Sequence, residues 1–205
     1  GLDMEEICRK IQYSVEHTRV YFCLATLEYL RKGGRIGRVA SMLGSVLNLK
    51  PIISCDADGA YYVVSKARGR VKSIAETVAL ALKQVQGNAK YCIAVANGSA
   101  REEAAKLAQE LRQRLPDAQL FLECEVSPAL GVHTGPGLLG AIVQYADAGL
   151  VVGAGGGVHE PAALVILVIG ELLVTVAQGQ LQFGGHGTLT AERGTDAVLH
   201  SSLHG

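Results

Sequence analysis

The chain has 205 residues, 49% of them hydrophobic and 19% charged, enough to bury a real core in one domain with an appendage rather than two full domains. Lys plus Arg and Asp plus Glu balance at 19 each, so no overall field favours nucleic acid and any basic surface must be local. Cys8, Cys23, Cys55, Cys92 and Cys124 are odd in number, well separated and without metal spacing, which predicts buried reduced thiols and a cytoplasmic protein.

The N-terminal segment is amphipathic: Ile7, Ile11 and Val15 share one helical face, and no charged-then-apolar leader is visible. Val20 to Leu24 is a compact apolar run suited to a buried strand. Thr26 is placed to cap a short helix through Lys32, with Gly33 as its left-handed stop. Ile36, Val39, Ala40, Leu43 and Leu47 predict a second helical stripe, ended by Asn48 to Pro51 before a strand from Ile52 to Cys55.

Asp58-Gly59 predicts a tight turn joining that strand to Ala60 through Val64 as a hairpin. Ile74, Val78, Leu82 and Val85 then mark a helix, Tyr91 to Ala96 a strand, Ala104, Leu107, Ala108 and Leu111 a helix, and Gln119 to Cys124 a strand. A further helix is expected from Leu138, opened by Pro136. The predicted fold class is α/β, a mixed sheet with stacked helices, because a hairpin amid helical crossovers requires both strand senses.

Composition changes near Ala148. Before it lie 18 of the 19 Lys and Arg, against 15 acidic residues, and all seven Tyr; after it lie nearly half of the 25 Gly. The expected organisation is a lobe over 1–145 and a Gly-rich tail over 146–205, weakly ordered toward its end and explicable by a fusion or a shifted frame. Within the tail, Leu172 to Phe183 alternates in part and suggests a strand or hairpin. Val151 to Val158 enters a glycine loop but lacks the spacing of a dinucleotide fingerprint. His200 and His204 have no third ligand nearby, so no metal is expected. The apolar run Ala162 to Ala177 is shorter than the roughly 20 residues of a membrane-spanning helix and contains Glu171, so no membrane span is expected.

Two segments carry the chemistry. Leu27 to Ile36 reads Leu-Glu-Tyr-Leu-Arg-Lys-Gly-Gly-Arg-Ile, and His133 to Gly137 reads His-Thr-Gly-Pro-Gly. Each sets a charged or titratable side chain beside glycine backbone, a combination suited to holding an anion. Together with Val20-Tyr21-Phe22 and Leu47-Asn48-Leu49-Lys50-Pro51-Ile52, in this order and spacing, they closely resemble the second lobe of DegV-family fatty-acid-binding proteins. The resemblance runs from Gly1 to about Ile142 and implies the C-terminal lobe of the DegV fold.

It further implies a bacterial, cytoplasmic, non-catalytic carrier. Such a protein encloses a long-chain fatty acid between two lobes and presents its carboxylate to a separate ATP-dependent fatty acid kinase for phospholipid synthesis. The family's first lobe, with its Ser and Thr hydroxyls, is absent from this sequence. No cofactor, no catalytic residue and no nucleic acid partner is expected. Two other functions stand beside this one: a lobe of a small-molecule, hydroxyacetone-type kinase, for which the sequence offers neither a P-loop nor a convincing cluster of metal-binding carboxylates, and an interaction module without a ligand.

The residues suit a carboxylate leaving water, which needs charge-assisted or backbone hydrogen bonds. Arg35 offers a planar fork and His133 a ring donor, with Thr134, Gly135 and Gly137 completing the candidate head-group site. The backbone N–H groups of the two glycines, and the N-terminus of the helix expected from Leu138, would approach the anion. Equally, Gly33-Gly34 is a plain helix stop beside a solvated Arg35, and His133 bonds a nearby carbonyl. Leu43, Leu47 and Ile52 are candidates to line the acyl tail, or ordinary core. Lys66, Arg68, Arg70 and Lys72, spaced by two, would share one face if the strand continued; they form a candidate kinase-docking run or a solvated face.

Overall fold

Alternation along β1 (Thr18–Cys23) sets the architecture, because it divides the protein into two cores. Tyr21 and Cys23 point to one face, where they pack with Val78, Ala81, Leu107 and Leu111. Phe22 points to the other, with the following Leu24, Leu30, Val39, Ile53, Tyr61 and Leu138. The structure is a computed structural model that describes residues 3–44, 48–56, 59–85, 90–145, 181–184 and 188–191.

In chain order, α1 (Met4–Glu16) leads into β1, and α2 (Glu28–Lys32) and a 3₁₀ helix (Gly37–Met42) follow it. The hairpin β2 (Leu49–Cys55) and β3 (Tyr61–Arg68) precedes α3 (Arg70–Gln84), β4 (Tyr91–Gly98), α4 (Arg101–Arg114) and β5 (Leu120–Glu125). Then come α5 (Pro128–Thr134) and β6 (Leu138–Tyr145), and a separate two-stranded sheet of β7 (Leu181–Gly184) and β8 (Thr188–Ala191). The main sheet has six strands in the order β3-β2-β1-β6-β4-β5, antiparallel at every pairing except β4 with β5. It is the α/β mixed sheet with helices that the sequence predicts.

The main correction lies at Leu138. The expected helix is strand β6, inserted between β1 and β4 and paired with both along its length. Leu138 through Gln144 are all buried, and a short run such as Leu138 to Val143, apolar on every side, fits a central strand as well as a helix. Three smaller corrections concern the segment after β1. Leu27, not Thr26, holds the N-cap position of α2, although Thr26 Oγ1 accepts from Glu28 N at 3.2 Å. Gly33 stays right-handed, and Gly34 takes the left-handed conformation. The predicted stripe from Ile36 shrinks to the 3₁₀ helix, with Leu43 already extended.

The β2–β3 turn is held by Asp56, whose carboxylate accepts from Ala60 N at 2.8 Å and whose carbonyl accepts from Gly59 N at 2.9 Å. Asp58 lies outside the described residues, as do Leu47 and most of the tail, including the glycine loop, the Ala162 to Ala177 run and the C-terminal histidines. The strand expected to end at Phe183 is represented by β7. No described helix is long and apolar enough to cross a membrane.

Candidate functional site

The two glycine-bearing segments meet where α2 packs against α5. Gly33, the residue after α2, lies directly beneath the His133 ring: a Cβ there would collide with Nδ1 and stand 3.3 Å from Cε1. The same glycine gives its carbonyl to Arg35 Nη1 at 2.7 Å. One residue without a side chain therefore seats both candidate head-group ligands. Arg35 is anchored further by its own N–H, which donates to Leu30 O at 2.8 Å.

Arg35 Nε and His133 Nδ1 are buried and have no hydrogen-bond partner. Burial and then the Arg35 charge hold the His133 pKa below the ordinary imidazole value, so the ring is biased to neutrality. A guanidinium N–H donates only, and a neutral imidazole donates from whichever nitrogen carries the proton. Unpaired buried donors each cost about 1–3 kcal/mol, and an incoming carboxylate, rich in acceptors, would satisfy them.

Tyr61 also lies by Arg35, and sequence reasoning missed it. It is 5% exposed, packs edge-on to Phe22 at 5.4 Å between ring centroids, and lies near enough to feel the Arg35 charge. Burial, above all, raises its pKa, with Cys55 adding to the rise and Arg35 opposing it. The phenol therefore keeps its proton and remains a donor. An aromatic residue at the start of a strand looks like ordinary core, and only the sheet order puts it beside Arg35. Cys55 is itself pushed up to about 12 by burial, leaving a protonated, inert thiol.

Three other candidates are occupied differently from the expectation. Thr134 is buried and its hydroxyl donates to Leu130 O at 3.1 Å within α5. Gly135 N donates to Gly131 O at 2.8 Å, and Gly137 N to Gly98 O at 2.7 Å. Their N–H groups are thus committed to carbonyls and do not face an anion, and no helix begins at Leu138 to add its dipole. The glycines serve packing instead. At φ +72° and +87° both are left-handed, with the Tyr29 ring against Gly135 and Ala25 Cβ 2.7 Å from where a Gly137 Cβ would stand.

Of the tail-lining candidates, Ile52 is fully buried on the opposite face with Val78, while its neighbour Ile53 lies with Tyr61 and Phe22. Adjacent strand residues face opposite sides, and which of the two joins Tyr61 is set by pairing with β1, Cys23 opposite Ile52 and Phe22 opposite Ile53. Leu43 is 43% exposed just after the 3₁₀ helix.

The basic run divides as well. Lys66 and Arg68 are exposed on β3, alternating with Ala67, which packs into the helix-covered core. Both therefore point to the face that carries Tyr61. Arg70 and Lys72 belong instead to the first turn of α3, because Gly69 at φ +84° breaks the strand. Arg70 forms a two-pronged pair with Glu103, at 3.1 Å from Nε and 2.7 Å from Nη2, so it is not available for docking.

A surface depression of about 540 Å³ lies at the start of α4, lined by Ser99, Arg101, Glu102, Glu103 and Glu125 among others. Its rim is mostly acidic and includes none of the head-group residues, so it does not suit a carboxylate. Among the described residues, no group of three or more His, Cys, Asp and Glu is placed to hold a metal.

A family model described as the DegV family matches residues 1–146. The chain belongs to the DegV family. It is 40% identical over 144 residues to a DegV domain-containing protein of Clostridium perfringens, a match covering 70% of this chain and 50% of the relative. A relative in Streptomyces coelicolor is likewise 40% identical over 144 residues. The chain spans about half the length of the curated relatives it matches.

Among solved structures, it resembles a fatty-acid-binding DegV family protein of Thermus thermophilus with a TM-score of 0.66 and 27% identity, over 71% of this chain and 52% of the other. A stearic-acid-binding protein of Eubacterium ventriosum matches with a TM-score of 0.61 and 28% identity, over 71% and 50%. DegV of Bacillus subtilis, described as a fatty acid binding protein, matches with a TM-score of 0.59 and 28% identity, over 69% and 50%.

Proposed function

We propose that this DegV chain binds a long-chain fatty acid, with the carboxylate taken by Arg35, His133 and Tyr61. The observation that carries this is the pair of buried, unpartnered nitrogens, Arg35 Nε and His133 Nδ1, brought together over Gly33. The solved relatives described as fatty-acid-binding support the ligand class. The acyl chain lies along the sheet face that carries Phe22, Ile53 and Leu138. Burial of each CH₂ contributes about 0.8 kcal/mol, so the tail supplies most of the affinity and the head-group contacts fix direction.

Tyr29 and Val132, 36% and 66% exposed, leave apolar surface beside the head-group residues. The relatives carry about as much chain again outside the matched half. In the full arrangement a second lobe covers this surface and encloses the ligand, with 1–145 forming one lobe and 146–205 a tail outside it. The protein is a cytoplasmic carrier that catalyses nothing itself and hands the carboxylate to a separate ATP-dependent fatty acid kinase for phospholipid synthesis. Lys66, Arg68 and Lys72, exposed and close in sequence, are the docking residues.

Lipid extraction and mass spectrometry of the chain purified from bacteria, with a fluorescent fatty acid in a parallel exchange assay, test the binding. Co-purified acyl chains or saturable exchange, lost in the Arg35→Ala/His133→Ala double variant, are expected. A folded protein that neither carries nor exchanges a fatty acid would overturn the proposal.

A further inference from the structure

Filling the head-group site involves protons as well as shape. A carboxylate presents acceptors only, so every nitrogen that faces it must carry hydrogen. Arg35 meets that condition throughout the working range of a protein. His133 meets it in either of two forms: the neutral tautomer protonated at Nδ1, or imidazolium, protonated at both nitrogens.

The surroundings of the ring favour the second form once a ligand is present. Nδ1 is buried against Gly33 without a partner, and no hydrogen bond from a described residue holds the ring in one neutral tautomer. A tautomer is ordinarily fixed by the bond that the other ring nitrogen makes, and that support is missing. Two causes oppose imidazolium in the empty site, burial first and the Arg35 charge second. The burial is partial, since His133 is only half-buried, and a carboxylate held by Arg35 cancels the second cause.

The other charged and titratable groups near the ring are paired, exposed or neutral. On α2, Glu28 pairs with Lys32 at 2.7 Å, both exposed, and Arg31 is exposed as well. Tyr29 lays its ring against Gly135. On the 3₁₀ helix Arg38 pairs with Asp56, and ahead of α5 Glu125 pairs with Arg101 at 2.8 Å. α5 itself carries no further titratable side chain, and Tyr61, on β3, keeps its proton. Arg35 is therefore the charge that governs His133. The empty site holds one net positive charge, on Arg35; with a carboxylate and imidazolium added, it holds one again. An opposite charge within about 4–6 Å favours the charged form of a titratable group, so the incoming carboxylate draws a proton onto the ring.

We propose that His133 takes up a proton from solvent as the fatty acid binds, so that acidification strengthens loading and a rise in pH promotes release. The proposal rests on the fatty acid binding proposed above and adds a proton as its co-ligand. By linkage, affinity rises as pH falls through the imidazole pKa of the loaded site and levels off below that of the empty site. Between the two, one proton changes Kd by up to about tenfold per pH unit.

Isothermal titration calorimetry of the purified full chain with laurate, at about pH 6.5 in buffers of different ionisation enthalpy, counts the protons taken up per ligand bound. Wild type is expected to take up a substantial fraction of a proton. His133→Gln, which keeps a hydrogen-bond donor but does not titrate, is expected to take up none. Should that variant bind too weakly to measure, the NMR titration of His133 Cε1–H in wild type decides, its midpoint moving up by about one pH unit when laurate is bound. Laurate binding without proton uptake and with an unmoved midpoint would assign the neutral Nδ1–H tautomer and overturn the proposal, leaving fatty acid binding intact. Uptake that persists in His133→Gln would place the proton on another group and overturn it too. A folded protein that gives no heat with laurate and exchanges no fluorescent fatty acid would overturn both proposals.

Discussion

Gly33 and His133 touch: the imidazole Nδ1 occupies the space that any side chain at position 33 would need. Gly33 has φ −78°, an ordinary right-handed value, so its requirement is for space and not for backbone freedom. Gly33→Ala should therefore displace the ring, weakening fatty acid binding about tenfold and costing about 1–3 kcal/mol of stability by overpacking. Adding His133→Ala should restore stability but not binding. Denaturant unfolding and ligand exchange on the four proteins of the cycle check both halves, and a Gly33→Ala variant with wild-type binding would contradict the placement.

Acidification should weaken the fold through His133. Its folded pKa lies below the unfolded imidazole value, burial being the larger cause and Arg35 the second, so the unfolded state binds more protons as pH falls. The contribution is complete above the unfolded value and is lost progressively as pH falls towards the folded one. Urea midpoints for wild type and His133→Gln, measured from pH 7.5 downward, should converge on acidification. Ligand binding should reverse the shift, because a carboxylate beside the ring favours imidazolium, and an NMR titration with and without fatty acid reads this directly.

Tyr61→Phe should keep the fold and lose affinity. The ring still packs on Phe22, whereas the phenolic donor beside Arg35 is gone. About 1 kcal/mol of binding free energy, several-fold in Kd, is expected by fatty acid displacement, with an unchanged urea midpoint. Unaltered affinity would place the phenol outside the head-group site.

Gly135→Ala should be more damaging to stability than to chemistry. The position is left-handed and covered by the Tyr29 ring, so a Cβ brings both backbone strain and a clash, together about 2–4 kcal/mol by denaturant unfolding. Tyr29→Ala in the same chain should recover the clash and not the strain. A Gly135→Ala variant as stable as wild type would show that the loop adjusts freely.

The four basic residues should separate by experiment. Arg70→Ala removes the forked pair with Glu103 and should lower the unfolding free energy by up to about 1 kcal/mol, read by urea denaturation. Lys66→Ala, Arg68→Ala and Lys72→Ala, all at exposed positions, should stay within about 0.5 kcal/mol of wild type. If the three serve docking, their combined substitution should impair transfer of the carboxylate to a kinase while fatty acid displacement is unaffected.

Much of the fold is written in local pattern. The buried strand over Val20 to Leu24, the helical stripes of α3 and α4 and the presence of a turn between Cys55 and Ala60 follow from spacing and turn chemistry within each segment, whereas the division of Tyr21 and Cys23 from Phe22 and the hold of Asp56 on the turn do not. The glycine-bearing motifs likewise indicate the family and point to Arg35 and His133. Spacing, however, reports faces within one element and not partners between elements. Leu138 to Val143 is apolar on every side, so its identity as a central strand emerges only from its pairing with β1 and β4.

The same physical reason governs the site. Whether a backbone N–H is available depends on which carbonyl the fold brings to it, and the tertiary structure gives those of Gly135 and Gly137 to Gly131 and Gly98. Pairing with β1 sets Ile52 beside Cys23 and Ile53 beside Phe22, so it is Ile53 that shares the face of Tyr61. By itself the sequence determined the family, the mixed α/β architecture and the two residues most suited to an anion. Tertiary structure alone decided that Gly33 seats both of them and that Tyr61 lies by Arg35, because each of these is a meeting of residues distant in the chain.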